Sequence, residues 1–372
     1  MQSPSRIAIV GGGPGGLMLA RLLQCRGIAA TVFERDAHAG DRLQGGSLDL
    51  HPDTGQRAMR LAGLESAFLA AARPEDQGDR LYDPNGTLLF DRDGVDDDRP
   101  EIDRAVLRQI LLESLVPGTV RWGSGVAAVA PEGDAVRVVA DGRADTFDVV
   151  VGADGAWSRV RPLLSVAQPV YEGAVMVELG FDAARHPSVD ALVGRGKMFA
   201  AGDNRVLIAQ RNGGGHIRGY AGLRRPEAIA RAWAAAPADT IRTDVLAAFA
   251  GWAPSLRTLV EEGELLGVRP LHALPIGHAW PSRRGVTLLG DAAHVMSPFS
   301  GEGVNLALID AADLAAALGG GGGWAAVEAY EASMATRAAV AAEGAARGLA
   351  TVLSDEGSAA ILALYRQRGA AA

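Results

Sequence analysis

The chain of 372 residues contains one cysteine, no run of basic residues and no apolar stretch of membrane-spanning length. A single cysteine, Cys25, excludes an intramolecular disulfide and any metal site that needs several cysteines. Because Cys25 falls within the apolar pattern of a predicted helix, we expect it to be a buried structural thiol. The seven histidines show no spacing typical of metal ligands, so no metal site is predicted.

The formal net charge of -8, without a clustered excess of Lys and Arg, argues against nucleic acid as a partner. Charged residues such as Asp310 and Asp313 interrupt the later apolar segments, which argues against a membrane partner. The first residues lead almost directly into an apolar strand, without the pattern of a secretion signal. We therefore expect a soluble, cytoplasmic protein and, in the absence of a long heptad pattern, a monomer.

The length is sufficient for two domains, and the hydrophobic periodicity outlines them. Residues 6–34 predict a strand, a helix and a second strand, which is the start of a parallel sheet. Residues 169–281 contain segments of alternating polar and apolar side chains, as in an antiparallel sheet with one covered face. Residues 285–289 return to a buried strand, and helices are predicted over 303–318 and 324–353.

Gly11, Gly13 and Gly16 form a Gly-x-Gly-x-x-Gly pattern between the first predicted strand and the first helix, which Pro14 begins. The glycines permit a tight turn and the close approach of a pyrophosphate, whose negative charge the helix N-terminus favours. Glu34 follows the next strand at the spacing of an acid that binds ribose hydroxyls and disfavours the 2'-phosphate of NADP. The unit predicts a dinucleotide site and by itself leaves NAD and FAD open.

Two later segments identify the dinucleotide through their resemblance to a known family. Residues 150–161, which contain Asp154, resemble the DG motif of flavoprotein monooxygenases of the aromatic-hydroxylase type. Residues 289–294, which contain Asp291, resemble the GD motif of that family, and residues 298–305 continue it. The order and spacing of the motifs match over nearly the whole chain. The resemblance implies that the chain binds FAD.

The residue types in these segments suit a flavin. Asp291, directly after a buried strand, can accept a hydrogen bond from a ribityl hydroxyl. Backbone N–H groups of Gly301, Gly303 and Val304, at a helix start, can stabilise negative charge on the reduced isoalloxazine. The resemblance also implies that Arg35 lies near the adenosine half.

A closer resemblance is to the tetracycline-inactivating flavin monooxygenases. It is carried by three short segments: residues 45–51, 54–59 and 100–104. That group's pattern makes Asp49 a flavin contact and Arg42 an NADPH contact, and Arg104 matches the arginine that reaches the flavin. Glu178 and Lys197 match by spacing the Gln and Arg that bind the drug, and an exposed pair on a sheet is an equal alternative. The predicted cofactor-binding residues are Gly11, Gly13, Pro14, Gly16, Glu34, Arg35, Asp49, Arg104, Asp154, Asp291, Pro298, Gly301, Gly303, Val304 and Asn305.

The predicted fold class is α/β: a Rossmann-like FAD-binding domain with a parallel sheet, a substrate domain built on an antiparallel sheet, and a long C-terminal helix. The FAD-binding domain is predicted to be discontinuous, and the helix to bridge both domains. The predicted boundaries are 1–70, 101–167 and 283–322 for the FAD-binding domain, 71–100 and 168–282 for the substrate domain, and 323–372 for the helix.

The family resemblance implies a monooxygenase in which NADPH binds transiently and reduces FAD, and O2 then forms a flavin C4a-hydroperoxide. One oxygen atom passes to a small polycyclic or aromatic molecule, for which a tetracycline-type antibiotic, and hence antibiotic resistance, is one expectation. No catalytic side chain is predicted, because the cofactor carries the chemistry. The alternatives are another FAD oxidoreductase, such as a dehydrogenase or a halogenase, a flavin-carrying binding protein without turnover, and an NAD-only dehydrogenase.

Overall fold

The computed structural model describes residues 6–41, 45–94 and 97–369, which form seventeen strands and twelve α-helices. The strands are Ile7–Val10 (β1), Ala30–Phe33 (β2), Ser47–Asp49 (β3), Gly78–Tyr82 (β4), Leu88–Arg92 (β5), Glu101–Asp103 (β6), Val120–Arg121 (β7), Val126–Glu132 (β8), Ala135–Ala140 (β9), Arg143–Phe147 (β10), Val149–Gly152 (β11), Val170–Asp182 (β12), Gly196–Gly202 (β13), Arg205–Arg211 (β14), His216–Arg224 (β15), Glu264–Ala273 (β16) and Val286–Leu288 (β17). The helices are Pro14–Gln24 (α1), Gly55–Leu61 (α2), Glu65–Ala71 (α3), Arg104–Glu113 (α4), Pro187–Val193 (α5), Glu227–Trp233 (α6), Ala238–Ala248 (α7), Pro254–Glu262 (α8), Asp291–His294 (α9), Gly303–Gly319 (α10), Gly323–Val352 (α11) and Ser358–Gly369 (α12).

The chain divides into two compact units, each assembled from separate stretches of sequence. The first unit draws on Met1–Ala71, Arg104–Val170 and His272–Ala345, and the second on Ala72–Asp103, Tyr171–Leu271 and Ala346–Ala372.

A five-stranded parallel sheet, in the order β17-β11-β1-β2-β7, forms the centre of the first unit. β1, β11 and β17 are buried along their whole length, as unbroken apolar strands in a parallel sheet are. α1 packs against α10 and α4. A separate antiparallel sheet, β10-β9-β8, belongs to the same unit.

The second unit is built on a seven-stranded sheet in the order β16-β12-β15-β14-β13-β4-β5. β12, β15, β14 and β13 pair antiparallel, and β13 pairs parallel with β4. Successive side chains along each strand point to opposite faces of the sheet. Those on one face, such as Val177 and Met198, join a core with Trp233 of α6 and Phe249 after α7. The predicted fold class is confirmed, including the long helix Gly323–Val352.

The prediction of a buried Cys25 is wrong, because α1 ends at Gln24 and not at residue 26. Cys25 lies at the C-terminal cap, where it is exposed, and its sulfur is 3.8 Å from the Ala62 carbonyl oxygen. Within the described part of the chain, no helix combines the length and apolar character needed to cross a membrane. Over the same residues, no group of three or more His, Cys, Asp or Glu side chains is placed to hold a metal ion.

Candidate cofactor site

The residues singled out in the first unit lie at one edge of its parallel sheet. Gly11 follows β1, Glu34 follows β2, Asp154 lies two residues after β11, and Asp291 follows β17 by three residues. These four strands are neighbours in the sheet and run parallel, so their carboxyl ends share one edge. Ligands of open α/β sheets bind at this kind of edge.

The glycine loop between β1 and α1 has little room for side chains. Gly11 has φ +109°, and a Cβ on it would lie 2.3 Å from the Ala153 carbonyl oxygen. A Cβ on Gly16 would lie 2.1 Å from the Gly11 carbonyl oxygen. Gly13 differs, since a Cβ there would meet nothing within 4 Å, and it caps α1 without a side-chain hydrogen bond just before Pro14. The positive end of α1 is therefore open, and this cradle fits a pyrophosphate.

Glu34 connects the end of β2 to the glycine loop. Its buried carboxylate accepts hydrogen bonds from the Gly12 N–H at 2.7 Å and the Asp36 N–H at 2.9 Å, one on each oxygen. Each oxygen keeps a second lone pair, so the group can also accept ribose hydroxyls. Arg35, the next residue, is exposed.

Arg108 on α4 was not identified from the sequence, and its buried guanidinium supports the glycine loop and the segment that follows Glu34. It donates to the Gly12 carbonyl at 3.3 Å, to the Ala39 carbonyl at 2.7 Å and to the Asp36 carboxylate at 3.2 Å. A guanidinium suits such a site because its five donors have fixed directions. The sequence feature that could have indicated burial is the position of Arg108 directly after Leu107, on the apolar side of the helix.

Asp154, in the loop after β11, has an incompletely used carboxylate. One oxygen accepts a hydrogen bond from the Arg159 N–H at 2.6 Å, and the other is buried without a hydrogen-bond partner among the described residues. Burial raises the pKa of Asp154, and the hydrogen bonds from Ser158 and Arg159 offset this only in part. A buried acceptor without a donor costs about 1–3 kcal/mol, so the site fits a ligand that brings a donor.

Arg161 joins the DG and GD motifs, a role that the sequence did not indicate. It is almost fully buried and donates to the carbonyl oxygens of Ala292 at 3.0 Å, Ala156 at 2.7 Å and Ala167 at 3.3 Å. Burial lowers the pKa of Arg161, with a smaller opposing effect of Asp154. Because Ala292 follows Asp291 directly, the guanidinium links the Asp154 loop to the start of α9.

Asp291 begins α9 after Gly290, whose φ of +57° lies in the left-handed region. Its side chain is exposed and makes no hydrogen bond within the described residues, so the carboxylate is available to a ligand. Pro298, also exposed, begins the short 3-10 turn Pro298–Ser300 that follows.

The start of α10 is open in the same way as the start of α1. Glu302, the capping residue, makes no side-chain capping hydrogen bond, and a Cβ on Gly303 would meet nothing within 4 Å. Gly301 is left-handed, with φ +71°, and closes the preceding turn, and Val304 is the second residue of the helix. Unsatisfied N–H groups at a helix N-terminus stabilise negative charge, which fits a reduced flavin ring.

Asn305 attaches the Asp49 segment to this helix start. Its amide nitrogen donates to the Asp49 carbonyl at 2.9 Å, and its amide oxygen accepts from the His51 N–H at 2.8 Å. The Asp49 carboxylate lies 3.3 Å from His51 Nε2. Arg104 meets the same segment, because its N–H donates to the Gly46 carbonyl at 3.2 Å. The structure therefore brings Asp49, Arg104 and the start of α10 to one region.

Glu178 and Lys197 lie in the second unit, on the face of its sheet that does not carry the apolar core. The register pairs Glu178 on β12 with Tyr220 on β15, and Lys197 lies on the same face of the sheet on β13, three strands from Glu178. They do not pair with each other: Glu178 lies 3.2 Å from Arg269, and Lys197 lies 3.7 Å from Asp79. Arg42, the predicted NADPH contact, lies outside the described residues.

Comparison with known proteins identifies the family of this chain. The sequence model of the FAD binding domain family matches residues 5–214 and 279–348. Monooxygenase asqM of Emericella nidulans is 32% identical, over 84% of this chain and 84% of that protein. The 3-amino-4-hydroxybenzoate 2-monooxygenase PtmB3 of Streptomyces platensis is 33% identical, over 84% of this chain and 79% of that protein.

Among solved structures, tetracycline destructase Tet(55) matches with a TM-score of 0.78 at 20% identity, covering 99% of this chain and 95% of that chain. At this identity the likeness shows a shared fold. The family match extends over most of the chain, including the glycine loop, the Asp154 loop and the α9–α10 segment. The chain belongs to the FAD-binding domain family and, within it, to the flavin monooxygenases of the aromatic-hydroxylase type.

Proposed function

We propose that this chain uses NADPH and O2 to hydroxylate a small aromatic or polycyclic molecule, with FAD as its bound cofactor. The observation that carries the proposal is the pair of helix starts, α1 and α10, each uncapped by a side chain and open at a glycine. One suits a pyrophosphate and the other a flavin ring that gains negative charge on reduction. An aromatic substrate is supported by PtmB3, whose name specifies an aminohydroxybenzoate.

The cofactor would be held by residues from every part of the sheet edge. Gly13 and the α1 start would receive the pyrophosphate, Glu34 the adenosine ribose, and Asp291 a ribityl hydroxyl. The unpartnered oxygen of Asp154 would accept one further donor. Once bound, FAD supplies the redox chemistry that no side chain of the protein offers.

The protein's own contribution to the reaction is binding, charge stabilisation and exclusion of water. The N–H groups at the start of α10 would stabilise negative charge on the isoalloxazine without reorganising during the reaction. The balanced reaction consumes substrate, O2, NADPH and one proton, and yields hydroxylated substrate, NADP+ and water. Because Glu34 disfavours a 2'-phosphate, NADPH would not use the glycine loop.

Substrate binding is proposed for the face of the second unit's sheet that carries Glu178, Tyr220, Phe199 and Lys197. The side chains of all four are partly exposed, whereas the opposite face is filled by the apolar core. Aromatic rings with charged neighbours suit a planar molecule with polar substituents. A tetracycline has this character, and the fold shared with Tet(55) makes it the first compound to test.

The test is to purify the protein, record its visible spectrum and follow NADPH oxidation with and without a tetracycline. A flavin spectrum, NADPH oxidation stimulated by the compound, and a product heavier by one oxygen atom are expected. Flavin with slow oxidation that the compound does not change would reject tetracycline and direct the search to simple aromatic acids. A colourless protein that FAD cannot reconstitute would reject the proposal. A strong preference for NADH would correct the identity of the reductant.

A further inference from the structure

A buried cluster of charged side chains lies directly behind the turn that presents Asp291. Asp310, on α10, is fully buried, and its Oδ2 accepts a hydrogen bond from the Gly290 N–H at 3.1 Å. The same oxygen lies 2.6 Å from Nε2 of His294. Its Oδ1 lies 2.8 Å from the guanidinium of Arg337 on α11. One carboxylate thus holds both the residue that precedes α9 and the last residue of α9.

The charges in this cluster support one another. Burial alone lowers the pKa of His294, but the charge and hydrogen bond of Asp310 outweigh it, so the pKa is raised above its ordinary value. Burial raises the pKa of Asp310, and His294 with Arg337 outweigh that effect, so this pKa is lowered. Asp310 therefore stays ionised, and a charged His294 is its favoured partner.

The Asp291 side chain is exposed, whereas Asp310 and His294 are buried beneath the turn that carries it. Within the described residues its carboxylate has no hydrogen bond of its own, so its direction depends on the backbone that carries it. That backbone turns at Gly290 in a left-handed conformation, and the Gly290 N–H is satisfied by Asp310. A group that must meet a ligand in one orientation gains affinity when its support is fixed beforehand.

We propose that His294 and Asp310 are positioning residues for FAD, which fix the Gly290–Asp291 turn so that the Asp291 carboxylate is oriented before the cofactor binds. The inference rests on the proposed cofactor site. Neither residue contacts the cofactor in this scheme, because both side chains are buried beneath the turn. Their removal acts on FAD affinity through Asp291.

The test compares three variants of the full chain by titrating the apoprotein with FAD, using the quenching of flavin fluorescence. His294→Leu removes the hydrogen bond to Asp310, and we expect the Kd for FAD to rise about tenfold or more. His294→Gln keeps an N–H donor, and its Kd should stay within about threefold of the parent. Ser297→Ala is the matched control, because Ser297 is equally buried nearby and its hydroxyl donates to the Ala345 carbonyl at 3.0 Å.

The melting temperature of each apoprotein separates positioning from general stability. Ser297→Ala is expected to lower the melting temperature without changing the Kd, whereas His294→Leu should change the Kd by more than its stability loss explains. The proposal is overturned if His294→Leu binds FAD as tightly as the parent, or if both variants lose affinity in proportion to stability. A parent protein that binds no FAD would overturn the proposed function and, with it, this inference.

If His294→Leu does not fold, the pH dependence of the Kd for FAD tests the proposal instead. As the pH rises through the raised pKa of His294, Asp310 loses a charged partner but keeps an N–H donor, so the parent's Kd for FAD should increase at alkaline pH by no more than the roughly threefold difference allowed for His294→Gln. His294→Gln should show a flat profile, and an alkaline rise equal to the parent's would overturn the proposal. The other titratable and charged groups near the pair are Asp291, His278, Asp313, Tyr330 and Arg337.

Discussion

The two units place their candidate residues in different kinds of structure. In the first unit, Gly11, Glu34, Asp154 and Asp291 lie just beyond the carboxyl ends of parallel strands. In the second unit, the candidates Glu178 and Lys197 lie within regular strands, on a sheet face to which every second side chain points. The proposed cofactor site therefore depends on segments of fixed backbone geometry between strands and helices, and the proposed substrate site on the side chains of regular strands.

This difference explains why the sequence identifies a cofactor and not a substrate. A position that leaves no room for a Cβ, such as Gly11 in the loop or Gly16 in the first turn of α1, accepts almost no residue but glycine. The exposed positions of a sheet accept many side chains at little cost to the fold. Binding specificity can change there while the architecture stays the same. The experiments below test this contrast, beginning with the largest expected effect.

Two glycine variants separate space needed by the protein from space needed by the cofactor. In Gly16→Ala the new Cβ would lie 2.1 Å from the Gly11 carbonyl oxygen, so we expect a loss of about 3 kcal/mol or more and no bound flavin. In Gly13→Ala the Cβ meets nothing within 4 Å, so the apoprotein should lose less than about 1 kcal/mol. Its FAD affinity should still fall about tenfold, because the methyl group enters the proposed pyrophosphate cradle.

Denaturant unfolding and FAD titration measure the two quantities separately. Parental FAD affinity in Gly13→Ala would show that the cradle does not receive the pyrophosphate. A stable, flavin-binding Gly16→Ala would contradict the steric argument for the whole loop.

Asp291→Ala should weaken FAD binding about tenfold to a hundredfold, since a hydrogen bond to a charged group contributes about 1.5–3 kcal/mol. The apoprotein should keep its melting temperature, because the carboxylate is exposed and makes no hydrogen bond within the described residues. Asp134→Ala, which removes an exposed carboxylate in the turn between β8 and β9, is the control and should change neither quantity. Equal FAD affinity in both variants would remove Asp291 from the site.

The contrast between positions that only a few residue types can occupy and exposed sheet positions also determines how much could be predicted from the sequence. The parallel sheet, the antiparallel sheet and the long helix followed from periodicity, and the family from three motifs whose glycines and acids have few substitutes. Helix ends were the weak point, and the two-residue error at α1 moved Cys25 from the core to the surface. A helix frays where side-chain packing ends, which periodicity locates only approximately.

The supporting charges could not be predicted in the same way. Arg108, Arg161 and Asp310 look in sequence like ordinary surface residues of helices and turns, yet each is almost fully buried. Their partners are mostly distant in sequence: Arg108 bonds to Gly12, and Arg161 to Ala292. Only the assembled structure shows that their donors and acceptors are satisfied.

On the substrate face, Lys197→Ala and Glu178→Ala should each raise the KM for an accepted substrate about threefold to tenfold, the loss of one partly exposed polar contact. FAD content should not change, because neither residue belongs to the unit that carries the predicted cofactor motifs. Glu261→Ala is the control: Glu261 pairs with Arg257 on α8, in the helical layer of the same unit. Unchanged KM in both sheet variants would exclude this face from substrate binding.

The smallest effect is expected from Asp154→Asn, measured as melting temperature against pH. Because burial raises the pKa of Asp154, the folded protein binds this proton more tightly than the unfolded chain does. Stability is therefore lost as the pH rises from the unfolded to the folded pKa, and the loss persists at neutral pH. Asn carries no charge and can still accept from the Arg159 N–H, so the apoprotein should melt slightly higher at neutral pH and lose this pH dependence. A variant that melts lower at neutral pH would mean that the surrounding loop favours the carboxylate, and that the unpartnered oxygen needs no donor from a cofactor.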